Sequence, residues 1–232
     1  MTLDMAGKTF PERVRARAFG ALDWVLGYRR AVVLVGVGVA LAASAIGLWW
    51  WQAQRQEGVA GRALSEVNQA FRQQYPTGFY LPSGEGTEAT PEALIRRYHQ
   101  VADQYAWTRS GPEALLRAGH LEYSAGLYEA AIRSYDRYAQ LRRSPFRPTA
   151  LLGKGYALEA KGDLPGAVGA FGLAAGAAGR DPLAAEAYLA QGRALEALKR
   201  REEALRAYAQ VAERFPQSAW AARAAERTAA LQ

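Results

Sequence analysis

The hydrophobic and polar positions divide the chain into two parts with different patterns. Residues 31–51 form a stretch without a charged side chain, bounded by Arg29 and Arg30 before it and by Arg55 after it. At 1.5 Å per residue, a helix of this length spans roughly 31 Å, which matches the hydrocarbon core of a bilayer. From residue 54 onward, apolar residues recur every three to four positions, which predicts successive amphipathic helices. The pattern therefore predicts an all-α fold.

The apolar stretch predicts a single transmembrane helix. A run of three tryptophans at 49–51 lies at its end, where indole rings favour the headgroup region. The alternatives are a buried helix of a soluble core and a cleaved signal peptide, with the small residues 43–45 as the cleavage site. We favour a retained anchor, because the tail before the stretch is long and the apolar run continues beyond residue 45.

The charges on either side of the stretch predict its orientation. Residues 1–30 carry six Lys or Arg against three Asp or Glu, whereas Arg55 and Arg62 are the nearest basic residues after the stretch. Basic flanks stay in the cytoplasm, which places residues 52–232 outside, in the periplasm, anchored to a bacterial inner membrane. The tail has apolar residues at helical spacing between 11 and 28, and is either a short interfacial helix or a solvated basic segment.

An internal repeat of about 36 residues organises the rest of the chain. Three columns of small or aromatic residues recur through three units, 112–143, 148–178 and 182–216, each predicted to be two helices around a short turn. One helix pair cannot cover its own apolar face, so the units are predicted to stack. The small residues would let helices cross closely while the aromatic residues fill the space between neighbouring units. The columns are Gly119, Gly155 and Gly192; Ala131, Ala167 and Ala204; and Tyr135, Phe171 and Tyr208.

These units resemble tetratricopeptide repeats, whose 34-residue pattern has Gly or Ala at the eighth place, Ala at the twentieth and an aromatic residue at the twenty-fourth. The three columns occupy those places, and Pro216 occupies the thirty-second place of the last unit. The resemblance implies a helical solenoid. A degenerate unit at 54–107, with an insertion loop at 76–91, is predicted upstream, and a capping helix at 218–231 is predicted downstream.

The resemblance also implies a groove lined by the first helix of each unit. Leucines occupy the fifth place of all three units, which suits an apolar or amphipathic partner segment, and a clamp for C-terminal carboxylates is not expected because it needs Lys at that place. The alternative is that these leucines pack against neighbouring helices. The candidate groove residues are Leu116, His120, Tyr123, Leu152, Tyr156, Leu189 and Arg193.

Residue types that carry chemistry are sparse. The chain has no cysteine and two histidines, His99 and His120, and it contains no metal-binding or phosphate-binding motif. The net charge of +7 is spread along the chain without a basic stripe. We therefore predict no enzymatic activity, no metal, no cofactor and no nucleic-acid partner.

The layout of a cytosolic tail, one anchor and extracytoplasmic repeats resembles the ancillary subunit family of the Sec translocon. That resemblance implies a non-enzymatic scaffold or chaperone-like adaptor, with translocon subunits, a membrane-bound chaperone or exported chains as its protein partners. The alternative is a structural subunit of another envelope complex that serves division, secretion or respiration.

Overall fold

The fold is built from α-helices throughout the part of the chain that the structure describes. The computed structural model describes the backbone of residues 10–75, 90–142 and 144–231, and the side chains of this set from Tyr28 onward. Every regular element in these ranges is an α-helix, so the predicted fold class is confirmed. The chain divides into two compact units, Met1–Arg55 and Gln56–Gln232.

The described part of the first unit, residues 10–55, lies within helix α1, Phe10–Gln74. Residues 28–52 are exposed along their whole length, so a helix buried in a soluble core does not describe this stretch. Within Tyr28–Gln74, α1 is long and apolar enough to cross a membrane. An anchor and a signal sequence can share this length and composition.

The tail joins the apolar stretch without a break in the helix. We predicted either a short interfacial helix between residues 11 and 28 or a solvated segment. Helix α1 starts at Phe10 and continues through the tail and the apolar stretch, and the interfacial location of the tail stays a prediction. Pro11 lies in the first helical turn, where its missing N–H costs no hydrogen bond, and no further proline interrupts the chain before Pro76. Residues 1–9 of the predicted tail lie outside the described residues.

The second unit is a series of helices in which each packs against the next along the chain. In addition, α3, α5, α7 and α9 contact one another in succession, so the first helices of the repeats line one side of a solenoid. The helices after α1 are α2, Pro91–Gln104; α3, Ser110–Ser124; α4, Tyr128–Ala139; α5, Arg147–Lys161; α6, Leu164–Ala178; α7, Leu183–Ala197; α8, Arg201–Arg214; and α9, Ala219–Ala230.

The end of α1 belongs to this second unit. Leu64 and Val67 are buried in the same hydrophobic cluster as the apolar residues of α2 and α3. The Glu57 carboxylate accepts hydrogen bonds from the Arg109 N–H at 2.8 Å and the Ser110 hydroxyl at 3.0 Å, which satisfies donors at the start of α3. Most of the predicted insertion loop, residues 76–89, lies outside the described residues, and Pro91 already begins α2.

The glycine and aromatic columns meet within each repeat. Tyr135, Phe171 and Tyr208 are almost completely buried. A Cβ atom placed on Gly155 would come 2.4 Å from the Phe171 ring, and one on Gly192 would come 2.3 Å from the Tyr208 ring. Each ring therefore lies directly on the glycine of its own unit. We expected these rings to fill the space between neighbouring units instead. The Tyr135 ring packs on Gly119 of its own unit and also on the next unit, because a Cβ on Gly153 would come 2.6 Å from it.

The turn inside each repeat uses one residue in the left-handed region. Its φ is +78° at Gly126, +90° at Gly162 and +60° at Lys199. Glycine adopts this conformation without strain, whereas a residue with a Cβ is disfavoured by about 1 kcal/mol.

We expect Lys199→Gly to raise the free energy of unfolding by roughly 1 kcal/mol, because it removes this strain at an exposed turn. The reciprocal variant Gly162→Lys should lower it by a similar amount, since nothing lies within 4 Å of a Cβ there and only the backbone conformation changes its cost. Chemical denaturation followed by circular dichroism measures both. Equal and unchanged midpoints would contradict the strain argument.

Candidate functional site

The three leucines of the predicted groove are part of the core. Leu116, Leu152 and Leu189 are 8, 5 and 7% exposed, and each belongs to one of the three hydrophobic clusters of the second unit. They face neighbouring helices, because a solenoid of short helices must bury most of its large aliphatic side chains to be stable. These leucines therefore do not form an exposed row. They pack against neighbouring helices, which was the alternative given in the sequence analysis.

The other predicted groove residues remain accessible. His120, Tyr123 and Arg193 are exposed, and Tyr156 is half-buried. The His120 and Tyr123 rings lie against Tyr135 and Tyr128 of the following helix, with ring centroids 5.7 and 5.8 Å apart. His120 and Tyr123 belong to α3, and Tyr156 and Arg193 belong to α5 and α7.

An open cleft of about 400 Å³ lies between α5, α7 and α9. Leu189 and Ala190 of α7 contribute apolar surface to it, and Tyr156 and Trp220 contribute aromatic rings from the two flanking helices. Of the seven predicted groove residues, the cleft brings together Tyr156, Leu189 and Arg193. Its remaining lining consists of the charged residues Glu186, Arg223, Glu226 and Arg227.

Tyr156 is fixed at the edge of the cleft. Its hydroxyl donates a hydrogen bond of 2.8 Å to the Glu186 carboxylate, and its ring meets Phe171 edge-on with the centroids 5.1 Å apart. Burial of the phenol, together with the hydrogen bond to Glu186, raises the pKa of Tyr156. The hydroxyl therefore stays protonated at neutral pH and serves as a donor.

Helix α9 contributes a side of the cleft that the sequence analysis did not include. We predicted a capping helix at 218–231 and assigned no binding residue to it. The 34-residue repeat register can be continued beyond Pro216 into a further unit. In that unit the second, fifth and ninth places are occupied by Trp220, Arg223 and Arg227. These are groove places in the preceding units, and the structure puts all three residues in the cleft lining. This register was the signal that could have identified them.

A hydrogen-bonded cluster attaches α9 to the last repeat. The Glu196 carboxylate accepts hydrogen bonds from the Tyr208 hydroxyl at 2.6 Å and from Arg227, whose Nε lies 3.1 Å from Oε1 and whose Nη2 contacts Oε2. Burial opposes ionisation of Glu196, but the hydrogen bonds from Arg227 and Tyr208 outweigh it and lower its pKa. At the start of α9, the Ser218 hydroxyl accepts a hydrogen bond from the Ala221 N–H at 3.2 Å.

We expect Glu196→Gln to lower the free energy of unfolding by about 1–2 kcal/mol near neutral pH, because it weakens two charge-assisted hydrogen bonds. The folded-state pKa of Glu196 is lowered, so its stabilisation is present above the ordinary carboxyl pKa of 4.5 and is lost as pH falls through the folded value. The difference between the variant and wild type should therefore vanish in acid. Denaturation midpoints across this pH range measure it, with Glu226→Gln on α9 as the control. A difference that persists unchanged in acid would contradict this explanation.

The site offers contacts for binding. Its lining combines aliphatic, aromatic and guanidinium groups, which suit the non-covalent recognition of a polypeptide segment. Within the described residues, no group of three or more His, Asp and Glu side chains is arranged to hold a metal ion.

A comparison with protein families identifies the repeats. The family model described as Tetratricopeptide repeat matches residues 116–179 and 172–219, which include α5 and α7 and end at the first residue of α9. No curated protein matches the chain, so no relative supports the resemblance to the ancillary subunits of the Sec translocon. Residues 116–219 are therefore tetratricopeptide repeats in a helical solenoid, a fold whose members mediate protein–protein interactions.

Proposed function

We propose that this protein is a membrane-anchored, non-enzymatic scaffold that holds partner polypeptides in the cleft between α5, α7 and α9. The observation that carries the proposal is the cleft itself, where Tyr156 and Trp220 flank the apolar surface of Leu189 and Ala190 in a repeat solenoid. Recognition of peptides in apolar grooves with polar rims is a common mode of protein–protein binding. The repeats thus supply rigid support, and the partly exposed rings supply anchor points.

The anchor in this proposal is the apolar stretch 31–51, with the basic tail in the cytoplasm and residues 52–232 in the periplasm. At the end of the stretch, the Arg55 guanidinium lies 4.2 Å from the centroid of the Trp51 ring. Tryptophan and arginine are favoured at the membrane interface, which supports retention of the helix as an anchor. Alkaline carbonate extraction of membranes tests this directly. A full-length chain should stay in the membrane pellet, and release of a shortened chain beginning near residue 46 would indicate a cleaved signal peptide.

Site-specific photo-crosslinking in cells tests the binding site. A photoreactive aromatic residue at Tyr156 should capture a polypeptide, whereas the same residue at Leu173, which is exposed on α6, should not capture that partner. Leu152 is unsuitable as a position because it is buried. The resemblance in layout makes exported chains, translocon subunits and a membrane-bound chaperone the proposed partners.

The same experiment separates the proposal from its alternatives. Identical adducts from Tyr156 and Leu173, or none from Tyr156, would contradict binding in the cleft. Purification in mild detergent separates the remaining functions, because a structural subunit of a division, secretion or respiratory complex would arrive with that complex in constant stoichiometry.

A further inference from the structure

The structure assigns helix α9 to the binding site, and we infer that the segment bound there carries an acidic side chain next to a large apolar one. This inference rests on the proposed function and specifies the chemistry of the partner. It depends on two features of the cleft: the side chains that α9 presents to it, and the charged groups that no internal hydrogen bond satisfies.

The packing of α9 leaves its large side chains at the cleft. Ala224 is the one residue of α9 that is fully buried, and Trp220 packs only in part against the last hydrophobic cluster. A helix that merely covered the end of the solenoid would bury its tryptophan and expose charged residues to solvent. Here Trp220 and Arg223 both line the cleft, so α9 forms one of its sides.

The cleft has room for a large side chain beside its apolar and aromatic residues. The whole cleft has a volume of about 400 Å³, within the range of small binding pockets, and Leu189, Ala190, Tyr156 and Trp220 form the apolar part of its lining. Tyrosine and tryptophan rings at such a position lose little conformational entropy on binding, and their flat faces accept aliphatic or aromatic groups. A large apolar residue of the partner is therefore the expected anchor.

Three charged side chains in the cleft have no hydrogen bond among the residues that the structure describes. Two of them are arginines, Arg193 and Arg223, and the third is Glu226. The other charged groups of the lining are already engaged: Arg227 binds Glu196, and Glu186 accepts from Tyr156.

Arg193 forms an ion pair with Glu159, whose carboxylate oxygen is 4.0 Å from Nη2 and therefore beyond hydrogen-bond distance, and Glu159 is not part of the cleft lining. The cleft thus offers two guanidinium groups and one carboxylate for further hydrogen bonding.

The position of Arg223 favours a carboxylate ligand. Its guanidinium lies 5.1 Å from the centroid of the Trp220 ring, next to the expected apolar anchor. A guanidinium supported by an aromatic ring keeps its N–H groups free for a planar, two-point contact with a carboxylate. An Asp or Glu that neighbours the apolar residue of the partner can reach Arg223, with Arg193 as a second donor.

Selection of peptide ligands tests the inference with the full chain in lipid nanodiscs. A library of random twelve-residue segments, displayed inside a carrier so that no free C-terminal carboxylate is present, is selected for binding. We expect enrichment of Asp or Glu next to a large apolar residue. Selected peptides should bind the double variant Arg193→Gln and Arg223→Gln about five- to tenfold more weakly, as for partly exposed charge pairs. The control variant Arg180→Gln with Arg206→Gln removes the same charge at exposed positions outside the cleft and should bind as wild type does.

The outcomes distinguish the inference from the proposed function. Peptides that lose binding in Trp220→Ala but show no acidic preference would overturn the partner chemistry and leave the cleft as a binding site. Peptides that bind the Trp220→Ala variant as well as wild type would remove α9 from the site. Failure to select any peptide that depends on either Tyr156 or Trp220 would contradict the proposed function itself.

Discussion

Replacement of Gly155 or Gly192 by alanine is expected to lower the free energy of unfolding by about 1–3 kcal/mol, the usual cost of overpacking a core. The added Cβ would lie 2.4 Å from the buried Phe171 ring in one case and 2.3 Å from the Tyr208 ring in the other. Because both rings are fully enclosed, either the ring or the whole helix must move to relieve the overlap. Chemical denaturation of the full chain, followed by circular dichroism, measures the loss.

The control for this experiment lies on α6. Gly169→Ala introduces the same methyl group into a helix at an exposed position with nothing within 4 Å of its Cβ. Alanine is the better helix former, so this variant should be about 1 kcal/mol more stable than wild type. Opposite changes in the free energy of unfolding for Gly155→Ala and Gly169→Ala would distinguish the effect of core packing from that of helix propensity. If Gly155→Ala were also stabilising, the close approach of the Phe171 ring would not be the reason that glycine is needed at this position.

The second large effect is expected at a buried carboxylate in the first repeat. Glu122 is 2% exposed, and its two oxygens accept hydrogen bonds from Ser134 at 2.6 Å and His99 at 2.7 Å. The single variants Ser134→Ala and His99→Ala should each lower the free energy of unfolding by about 1–3 kcal/mol, because each leaves a buried charged group short of a partner.

The other repeats supply an apolar replacement for the Glu122 and Ser134 pair. The positions equivalent to Glu122 are Leu158 and Leu195, and those equivalent to Ser134 are Ala170 and Ala207, all four of which are buried. The double variant Glu122→Leu with Ser134→Ala should therefore be neutral or more stable than wild type by up to about 4 kcal/mol, as found when buried polar groups give way to well-packed apolar ones.

A double-mutant cycle on unfolding free energies provides the measurement for this site. The expected result is strong non-additivity, because Ser134→Ala is costly beside Glu122 and harmless beside a leucine. Glu57→Gln offers a comparison at a half-exposed carboxylate, where the loss should be smaller. Additive effects of the two substitutions would mean that the Glu122 carboxylate does not depend on Ser134.

The repeat columns show which part of the fold can be predicted from local sequence. The spacing of Gly119, Gly155 and Gly192, with the matching aromatic residues, was sufficient to predict helical repeats in a stacked solenoid. That prediction succeeds because each repeat is a small local unit whose apolar face requires a neighbour, so the pattern repeats wherever the structure does.

The assignment of individual side chains to core or surface was not accessible in the same way. The leucines at the fifth place were candidates for an exposed groove, yet Leu116, Leu152 and Leu189 are buried. A helix periodicity specifies which residues share a face, but the depth of that face depends on how closely the neighbouring helices approach. For Glu122, likewise, the sequence does not reveal that His99 and Ser134 of two other helices converge on it.

The sequence by itself determined the helical class, the repeat and the apolar stretch of α1, because these depend on the order and period of residues along the chain. The repeat register places Trp220 and Arg223 at groove positions, but only the tertiary structure decided that α9 packs beside α7 so that both residues line the cleft. That arrangement includes the contact of Arg227 with Glu196, a pair 31 residues apart, and the burial of Ala224 in the last hydrophobic cluster. No local pattern specifies such a contact, since it exists only after the helices have packed.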